Sequence, residues 1–277
     1  MKIYTEAGEL SFKTFSFPDG QPHLSIDHHT FEFEEVTIET AIDSMDALFN
    51  VEMAIDVLRN LGYQKINLNI RYLLGARMDR TISNNQPFTL QLIARRLNAL
   101  GLNMVKILDA HSEVSTKLIA HSVNVLPKQI LTNVLRAHPN VIVVSPDKGG
   151  QDRILAYNGG HALIEGRKVR DPHTGKLSGF SFETKASRLR YEPHDYIIVD
   201  DICDGGGTFV GLGNVLREQL KVRKLYLFIT HGLFTQGFKE LREVFDRIYM
   251  TNSVSGQHDW DSDFVTILPV DMRFLKG

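Results

Sequence analysis

Four β-forming residues, Tyr196-Ile197-Ile198-Val199, run without a polar break into Asp200-Asp201-Ile202-Cys203-Asp204-Gly205-Gly206-Gly207-Thr208-Phe209. An unbroken apolar run stopped by carboxylates and glycines predicts a strand covered on both faces and ending in a loop. Beyond it, Val210, Leu212, Val215, Leu216 and Leu220 fall at near-helical spacing. The order is therefore strand, acidic glycine turn, helix. In an open α/β sheet this order puts the turn at the carboxyl edge of the strands, where ligands bind.

The atoms of the turn divide its chemistry in two. Consecutive glycines let the backbone take φ > 0 and approach a ligand, while the N–H groups of 205 to 208 lie at the positive end of the coming helix. A phosphate suits that end. The carboxylates of Asp200, Asp201 and Asp204 would repel it, so they face ribose hydroxyls or a divalent cation. The alternative is a glycine-rich turn with solvated aspartates.

Composition excludes several classes. A chain of 277 residues with 43% hydrophobic and 23% charged residues has enough apolar material for one large or two medium domains. The net charge of −2, with no basic run, argues against a nucleic-acid partner. No apolar stretch of signal or membrane length follows Met1. The single cysteine, Cys203, excludes an intramolecular disulfide. Acidic neighbours make it a packing residue and not a nucleophile. A cytoplasmic protein is expected.

Along the chain, residues 1 to 38 are β-rich, with segments around Ile3, Leu10–Phe15, His23–Ile26 and Phe31–Ile38 and an exposed turn at Phe17-Pro18-Asp19-Gly20-Gln21. A helix over Ser44–Leu61 leads to a strand at Lys65–Ile70, then to Arg71 through Arg80. There Arg77-Met78-Asp79-Arg80 offers two guanidinium forks to a polyphosphate, though taken alone a surface ion pair meets the same residues more readily. A helix over Phe88–Leu100 and a strand over Val105–Ala110 follow, the latter delivering Asp109 and His111, an oxygen and an imidazole suited to a divalent ion. A lone histidine is as well explained by a structural hydrogen bond. Helix Lys128–Ala137 and strand Asn140–Val144 lead into Ser145-Pro146-Asp147-Lys148-Gly149-Gly150. Gln151–Asn158 is predicted helical and His161–Ile164 a strand. Residues Glu165 to Glu183 are expected as a long basic loop of the lid or binding kind. After the central turn come a strand at Lys224–Thr230 ending in His231-Gly232, a helix at Phe238–Phe245, a short strand at Arg247–Met250, and Phe264–Val270 pairing with the sheet.

Taken together these motifs resemble the ribose-phosphate diphosphokinase (phosphoribosyl-pyrophosphate synthetase) family over roughly residues 10 to 255. The acidic turn alone resembles the ribose-phosphate motif of the wider phosphoribosyltransferase fold. Phe17-x-Asp19-Gly20 is similar to the family's adenine-clamping hairpin, Arg77-Met78-Asp79-Arg80 to its ATP-binding Arg-Gln-Asp-Arg, and Asp109-Ala110-His111 to its Asp-Leu-His with a metal-binding histidine. Val144-Ser145-Pro146-Asp147-x-Gly149-Gly150 matches its metal and ribose segment, and Thr230-His231-Gly232 is a further family-like element. Lys168-x-Arg170 stands where the family carries a catalytic Lys and Arg, with Arg167 a competing assignment.

The resemblance implies an α/β protein of two phosphoribosyltransferase-like domains, 1–130 on the ATP side and 131–277 on the ribose-phosphate side, each a mostly parallel sheet flanked by helices. It implies transfer of the β,γ-diphosphoryl group of ATP to the C1 hydroxyl of ribose 5-phosphate, with Mg²⁺ held near His111 and Asp147. ATP would be bound by Phe17, Asp19, Arg77, Asp79, Arg80 and His111, and the transferred charge neutralised by Lys168 and Arg170. The sugar phosphate would be held by Asp147, Asp200, Asp201, Asp204, Gly205, Gly206, Gly207 and Thr208. A homo-oligomer, dimer or hexamer, in which the Phe17 hairpin completes a neighbour's site, is also implied, with no nucleic acid or membrane partner.

Three departures stand out: Met78 for glutamine, Gln21 for glutamate, and Asp-Gly-Gly-Gly-Thr for Asp-Thr-Ala-Gly-Thr. Glycine at 205 and 206 removes a hydroxyl and a methyl, which raises a second acceptor, ADP-ribose, for the space so opened. A base phosphoribosyltransferase and an inactive synthetase-associated protein are the remaining alternatives.

Overall fold

The structure, a computed structural model, describes residues 1–27, 34–146, 154, 160–170, 177–183, 192–256, 258–260, 262–273 and 275, with backbone alone at 167–170, 177–180, 182–183 and 258. The chain divides into two compact units, Met1–Leu126 with Asp271–Gly277, and Pro127–Val270.

The first unit opens with strands β1 (Lys2–Thr5), β2 (Gly8–Leu10), β3 (Phe12–Ser16) and β4 (Pro22–Ile26), continues through β5 (Glu35–Ile42), helix α1 (Met45–Asn60), β6 (Lys65–Leu73), α2 (Thr89–Ala99) and β7 (Met104–Leu108), and closes with α3 (Val114–Leu118) and β8 (Ser122–Val125). Its six-stranded sheet has the order β2-β1-β5-β6-β7-β8. From β5 to β8 the pairing is parallel, while β1 runs antiparallel to both its neighbours, and β3 and β4 form a separate hairpin. Helix α1 starts where Ser44 accepts the Ala47 N–H at 3.1 Å, and it buries Leu48, Val51, Ala54, Ile55 and Leu58. It ends where Gly62 takes φ +95°.

The second unit runs α4 (Lys128–Ala137), β9 (Ile142–Ser145), β10 (Leu163–Arg170), β11 (Leu177–Glu183), β12 (His194–Cys203), α5 (Gly207–Gln219), β13 (Val222–Gly232), α6 (Lys239–Val244), β14 (Arg247–Thr251), a 3₁₀ turn (His258–Trp260) and β15 (Val265–Leu268). The sheet order is β11-β10-β9-β12-β13-β14-β15, parallel throughout apart from the β10–β11 hairpin. Tyr196 through Val199 of β12 are buried on both faces, as their unbroken apolar run predicts. Both units are α/β with mostly parallel sheets, in keeping with the fold class expected from the sequence.

Three expectations need correction. Residues 165 to 183 are not one long loop: they supply β10 and β11, paired from Glu165 with Glu183 to Arg170 with Leu177, with an irregularity between Val169 and Arg170. The density of Lys, Arg and Gly hid the alternation of Leu-Ser-Gly-Phe-Ser-Phe, and a hairpin satisfies its backbone whatever the charge of its side chains. The tail from Asp271 belongs to the first unit, not to a domain spanning 131–277. There Arg273 stacks 4.6 Å over the Tyr4 ring, and Lys106 Nζ lies 3.5 Å from the Leu275 carbonyl. Finally, Asp200 and Asp201 lie on strand β12 and not in the loop, since pairing with β13 continues to Cys203. The expected helix at 151–158, apart from residue 154, and the first residues of the Phe31–Ile38 strand lie outside the described residues.

At Gly213, on the buried face of α5, a Cβ would come within 2.4 Å of Val244 Cγ1 and 3.1 Å of Leu225 Cδ2. Gly213→Ala is expected to destabilise the second unit by about 1–3 kcal/mol, read as a thermal midpoint lower by about 2–4 °C per kcal/mol. An unchanged midpoint would show that the helix can move off the sheet at no cost. Elsewhere in this unit, His138 Nε2 lies 2.8 Å from Tyr249 Oη and its ring packs on Tyr226 at 4.4 Å. Burial holds the imidazole below the ordinary histidine range. The unfolded chain therefore takes up the proton first, so this contribution to stability is full above about pH 6.5 and is lost as the pH falls through the lower folded value. Melting from pH 8 to 5 should show a steeper acid decline for the wild type than for His138→Gln, and coincident profiles would remove His138 as the cause.

Candidate functional site

In the second unit the acidic turn is built on β12. Asp200 is half-buried and its Oδ1 accepts the N–H of Asp201 at 2.9 Å, while Asp201 is buried at 4% exposure. Cys203 is wholly buried, and burial, with Asp200 and Asp204 nearby, pushes its thiol up to about 12. It is inert packing, as its acidic neighbours predicted. Asp204 is half-buried. Gly206 turns at φ +85° and its carbonyl accepts from Phe209 at 2.9 Å and Val210 at 3.0 Å, so helix α5 starts at Gly207, with Thr208 in its first turn. The N–H groups of Gly207 and Thr208, ahead of Phe209 and Val210, have no acceptor within their own helix. They face the region where an anion is stabilised.

The three glycines are not equivalent. A Cβ at Gly205 would lie 3.3 Å from Gln236 Cγ, and one at Gly206 3.3 Å from three side-chain atoms of Leu241, whereas one at Gly207 would meet nothing within 4 Å. The side chains missing at 205 and 206 thus point at the protein's own residues. The space for a larger acceptor expected from these two glycines is taken by Gln236 and Leu241.

Beside the turn, β13 ends in a buried polar group. His231 Nδ1 lies 2.9 Å from Ser253 Oγ, and Ser253 Oγ and Thr251 Oγ1 donate to the Thr230 carbonyl at 2.8 and 2.6 Å. The single hydroxyl proton of Ser253 is thereby used, which places a proton on His231 Nδ1. Ser253 carries no motif and was not singled out from the sequence.

Other predicted residues of this unit are placed only in part. Lys168 and Arg170 lie on β10, opposite Phe180 and Leu177 of β11. Ser145 at the end of β9 is fully buried. Asp147, Gly149 and Gly150 lie outside the described residues.

In the first unit, the parallel neighbours β6 and β7 deliver two segments to one sheet edge. After β6 the chain turns through Gly75 at φ +79°, with the Ala76 N–H to Leu73 O at 3.3 Å and the Met78 N–H to Gly75 O at 2.9 Å. Arg77 and Arg80 are exposed and Asp79 half-buried. After β7, Asp109 takes φ +42° and is buried at 1% exposure, its N–H donating to Val125 O at 2.8 Å. The Ala110 N–H donates to Asn124 Oδ1 at 2.8 Å, and His111 is exposed. Asp109 and His111 thus enter different environments, which separates the oxygen and the imidazole paired in the sequence. Asn124, on a strand absent from the expected elements, pins the turn that presents His111.

The β3–β4 hairpin carries Phe17 at its exposed tip, 48% accessible and 5.4 Å from the Phe15 ring. Asp19 is engaged within the tip. Its Oδ1 accepts the Gln21 N–H at 3.1 Å and its Oδ2 the Gln21 Nε2 at 2.9 Å. Among the described residues no three His, Cys, Asp or Glu side chains gather as a metal cluster, and no helix is long and apolar enough to cross a membrane.

No family model matches the chain. It is 26% identical to a ribose-phosphate pyrophosphokinase of Thermococcus kodakarensis over 243 residues, 86% of this chain and 84% of that one. It is 27% identical to one of Mycoplasmopsis pulmonis over 263 residues, 89% and 79% of the two chains. Among solved structures it resembles the crystal structure of phosphoribosylpyrophosphate synthetase from Mycobacterium smegmatis at TM-score 0.77 and 21% identity, covering 94% of this chain and 86% of the other.

Because Gly206 holds positive φ against Leu241 while Gly207 faces open space, the two should respond unequally to a methyl group. Gly206→Ala is expected to cost about 1–2 kcal/mol from backbone conformation alone. Gly207→Ala should stay within about 0.5 kcal/mol of the wild type. Denaturant unfolding of both variants checks this, and equal losses would contradict the turn geometry.

Proposed function

We propose that this chain, which belongs to the ribose-phosphate diphosphokinase family as a divergent member, transfers the β,γ-diphosphoryl group of ATP to the C1 hydroxyl of ribose 5-phosphate, releasing AMP and phosphoribosyl pyrophosphate. The observation that carries this is the β12 turn. Two carboxylates on a buried parallel strand, a third at Asp204, and Gly206 in the left-handed conformation lead directly into a helix N-terminus. Hydroxyl acceptors and an anion site stand a few residues apart, which is what a sugar phosphate presents in reverse.

Asp200 and Asp201 accept from the ribose hydroxyls, and the backbone of 204 to 208 with the Thr208 hydroxyl holds the 5′-phosphate. Arg77 and Arg80 bind ATP phosphate oxygens, Phe17 stacks on the adenine, and Asp19 and Asp79 take polar contacts of the nucleotide. The exposed Phe17 tip completes the nucleotide site of a neighbouring subunit in a homo-oligomer. Such a transfer asks little covalent work of the protein, so position and charge neutralisation dominate. Lys168 and Arg170 neutralise the charge growing on the transferred group and on departing AMP.

Of the two residues that the resemblance implies for Mg²⁺, His111 is exposed on a pinned turn, and an ion there would take most of its ligands from water and phosphate oxygens, which it favours. When bound, the ion offsets charge on the ATP phosphates. A cytoplasmic location accords with a single, buried, inert cysteine. ADP-ribose as acceptor loses its structural motive, because Gln236 and Leu241 stand where glycine was expected to leave room.

With ATP, Mg²⁺ and ribose 5-phosphate the protein should release AMP and phosphoribosyl pyrophosphate in equal amounts. Lys168→Ala should lower kcat by about 10²–10³-fold while leaving ATP affinity within about twofold, as for a group that acts in the transition state. Absence of AMP above the ATP-only control would overturn the assignment, and an unchanged kcat would remove Lys168 from it.

A further inference from the structure

The turn that follows β13 is shaped to hold the acidic turn. Cys203 and Gly232 are opposite one another at the end of the β12–β13 ladder. A Cβ at Gly232 would come within 2.4 Å of Phe234 Cε2 and 2.9 Å of Met250 Cε, so only glycine lets the Phe234 ring fold back over the strand end. Phe234 itself takes φ +43°, which a bulky residue adopts only when its surroundings impose it. Here they do: the ring is 4% exposed and packs on Phe238 at 4.7 Å and Trp260 at 6.0 Å.

The product of this arrangement is a row of N–H groups aimed at the main-chain carbonyls of Cys203 and Asp204. Leu233 and Phe234 donate to the Cys203 carbonyl at 2.7 and 3.2 Å, and Thr235 donates to the Asp204 carbonyl at 3.2 Å. The Thr235 hydroxyl donates to Asp204 Oδ1 at 2.7 Å. Just beyond, Gln236 lies beside Gly205.

We propose that Thr235 is a positioning residue for the sugar-phosphate site, its hydroxyl and N–H together fixing the carboxylate and the main chain of Asp204. The inference rests on the diphosphokinase reading and adds a residue to its sugar-binding side. A carboxylate on a single-bonded stem rotates freely about two torsions; tying one oxygen to a hydroxyl leaves the other in a set direction before the sugar arrives. A hydroxyl-to-carboxylate bond of this length is charge-assisted. Thr235 is exposed, so water can replace part of what is lost when the hydroxyl is removed. The effect is therefore intermediate and confined to one substrate.

Thr235→Val keeps the shape and the backbone donor and deletes the hydroxyl; Thr235→Ser restores it. Titration calorimetry of ribose 5-phosphate should show binding about tenfold weaker for the Val variant, the scale of one partly replaced charge-assisted bond, with recovery to within about twofold in the Ser variant. ATP affinity and thermal midpoint should match the wild type in both. Equal ribose 5-phosphate affinities for wild type and Val would overturn the inference, whatever the turnover. So would a Val variant that loses ATP affinity and melting temperature together with sugar affinity, since that marks a general structural role. A wild type that neither binds ribose 5-phosphate nor releases AMP would instead remove the diphosphokinase reading, and this inference with it.

Discussion

The structure of the second unit depends on how one buried strand ends. Tyr196 through Val199 have apolar neighbours on both faces, so β12 can terminate only where its last polar groups find partners without leaving the sheet. The parallel ladder with β13 answers this by continuing through Asp200 to Cys203, which brings two carboxylates onto a strand that is otherwise core. Beyond Cys203 the chain must reverse into α5, and the left-handed Gly206 does so in one step. The carboxylates and the helix N-terminus are close because the strand stays paired in the sheet to its last residue. A longer connecting loop would separate them.

The first unit solves a related problem with different residues. Strands β6 and β7 also end in turns that need unusual backbone, at Gly75 and at Asp109. Asp109 is not glycine, and its conformation is held by the Val125 carbonyl and by the Asn124 side chain bonding Ala110. The edge strand β8 therefore does more than extend the sheet: it supplies the acceptors that keep His111 presented. Positive φ at non-glycine residues, Asp109 in one unit and Phe234 in the other, is held by surrounding contacts that over-determine it.

Much of this was legible in the sequence, and the limits have physical causes. The β12 turn was readable because three signals coincide there: an apolar run of strand length, carboxylates, and glycines before a helical period. Helices α1, α2 and α4 announced themselves by apolar spacing, and their observed ends fall within a residue or two of the expected ones. The hairpin of β10 and β11 was missed because its charge density mimics a loop, and α3 and β8 because five and four residues are too short to show a period. The return of the tail to the first unit rests on Arg273 over Tyr4, a contact between the two ends of the chain that no local pattern records. Thr235 was invisible for a similar reason. Its importance comes from the φ of Phe234 and the bareness of Gly232, neither of which is a motif.

The departures from the family pattern gain their meaning from direction, not from size. Counting atoms, glycine at 205 and 206 leaves a hole; following the Cβ vectors, the hole is filled from inside by Gln236 and Leu241. Counting charges, Gln21 for glutamate only removes a carboxylate from the hairpin tip. In place, its amide nitrogen donates to Asp19, which a glutamate carboxylate has no proton to do. At Gln21 the side chain is thus engaged by its own chain, and at 205 and 206 the missing side chains would point inward. The side chains proposed to face ligands are then Asp200, Asp201 and Asp204 for the sugar and the two arginines for the donor. A site organised in this way gains selectivity from how firmly its few ligand-facing groups are held, which makes the residues behind them as consequential as those that touch substrate.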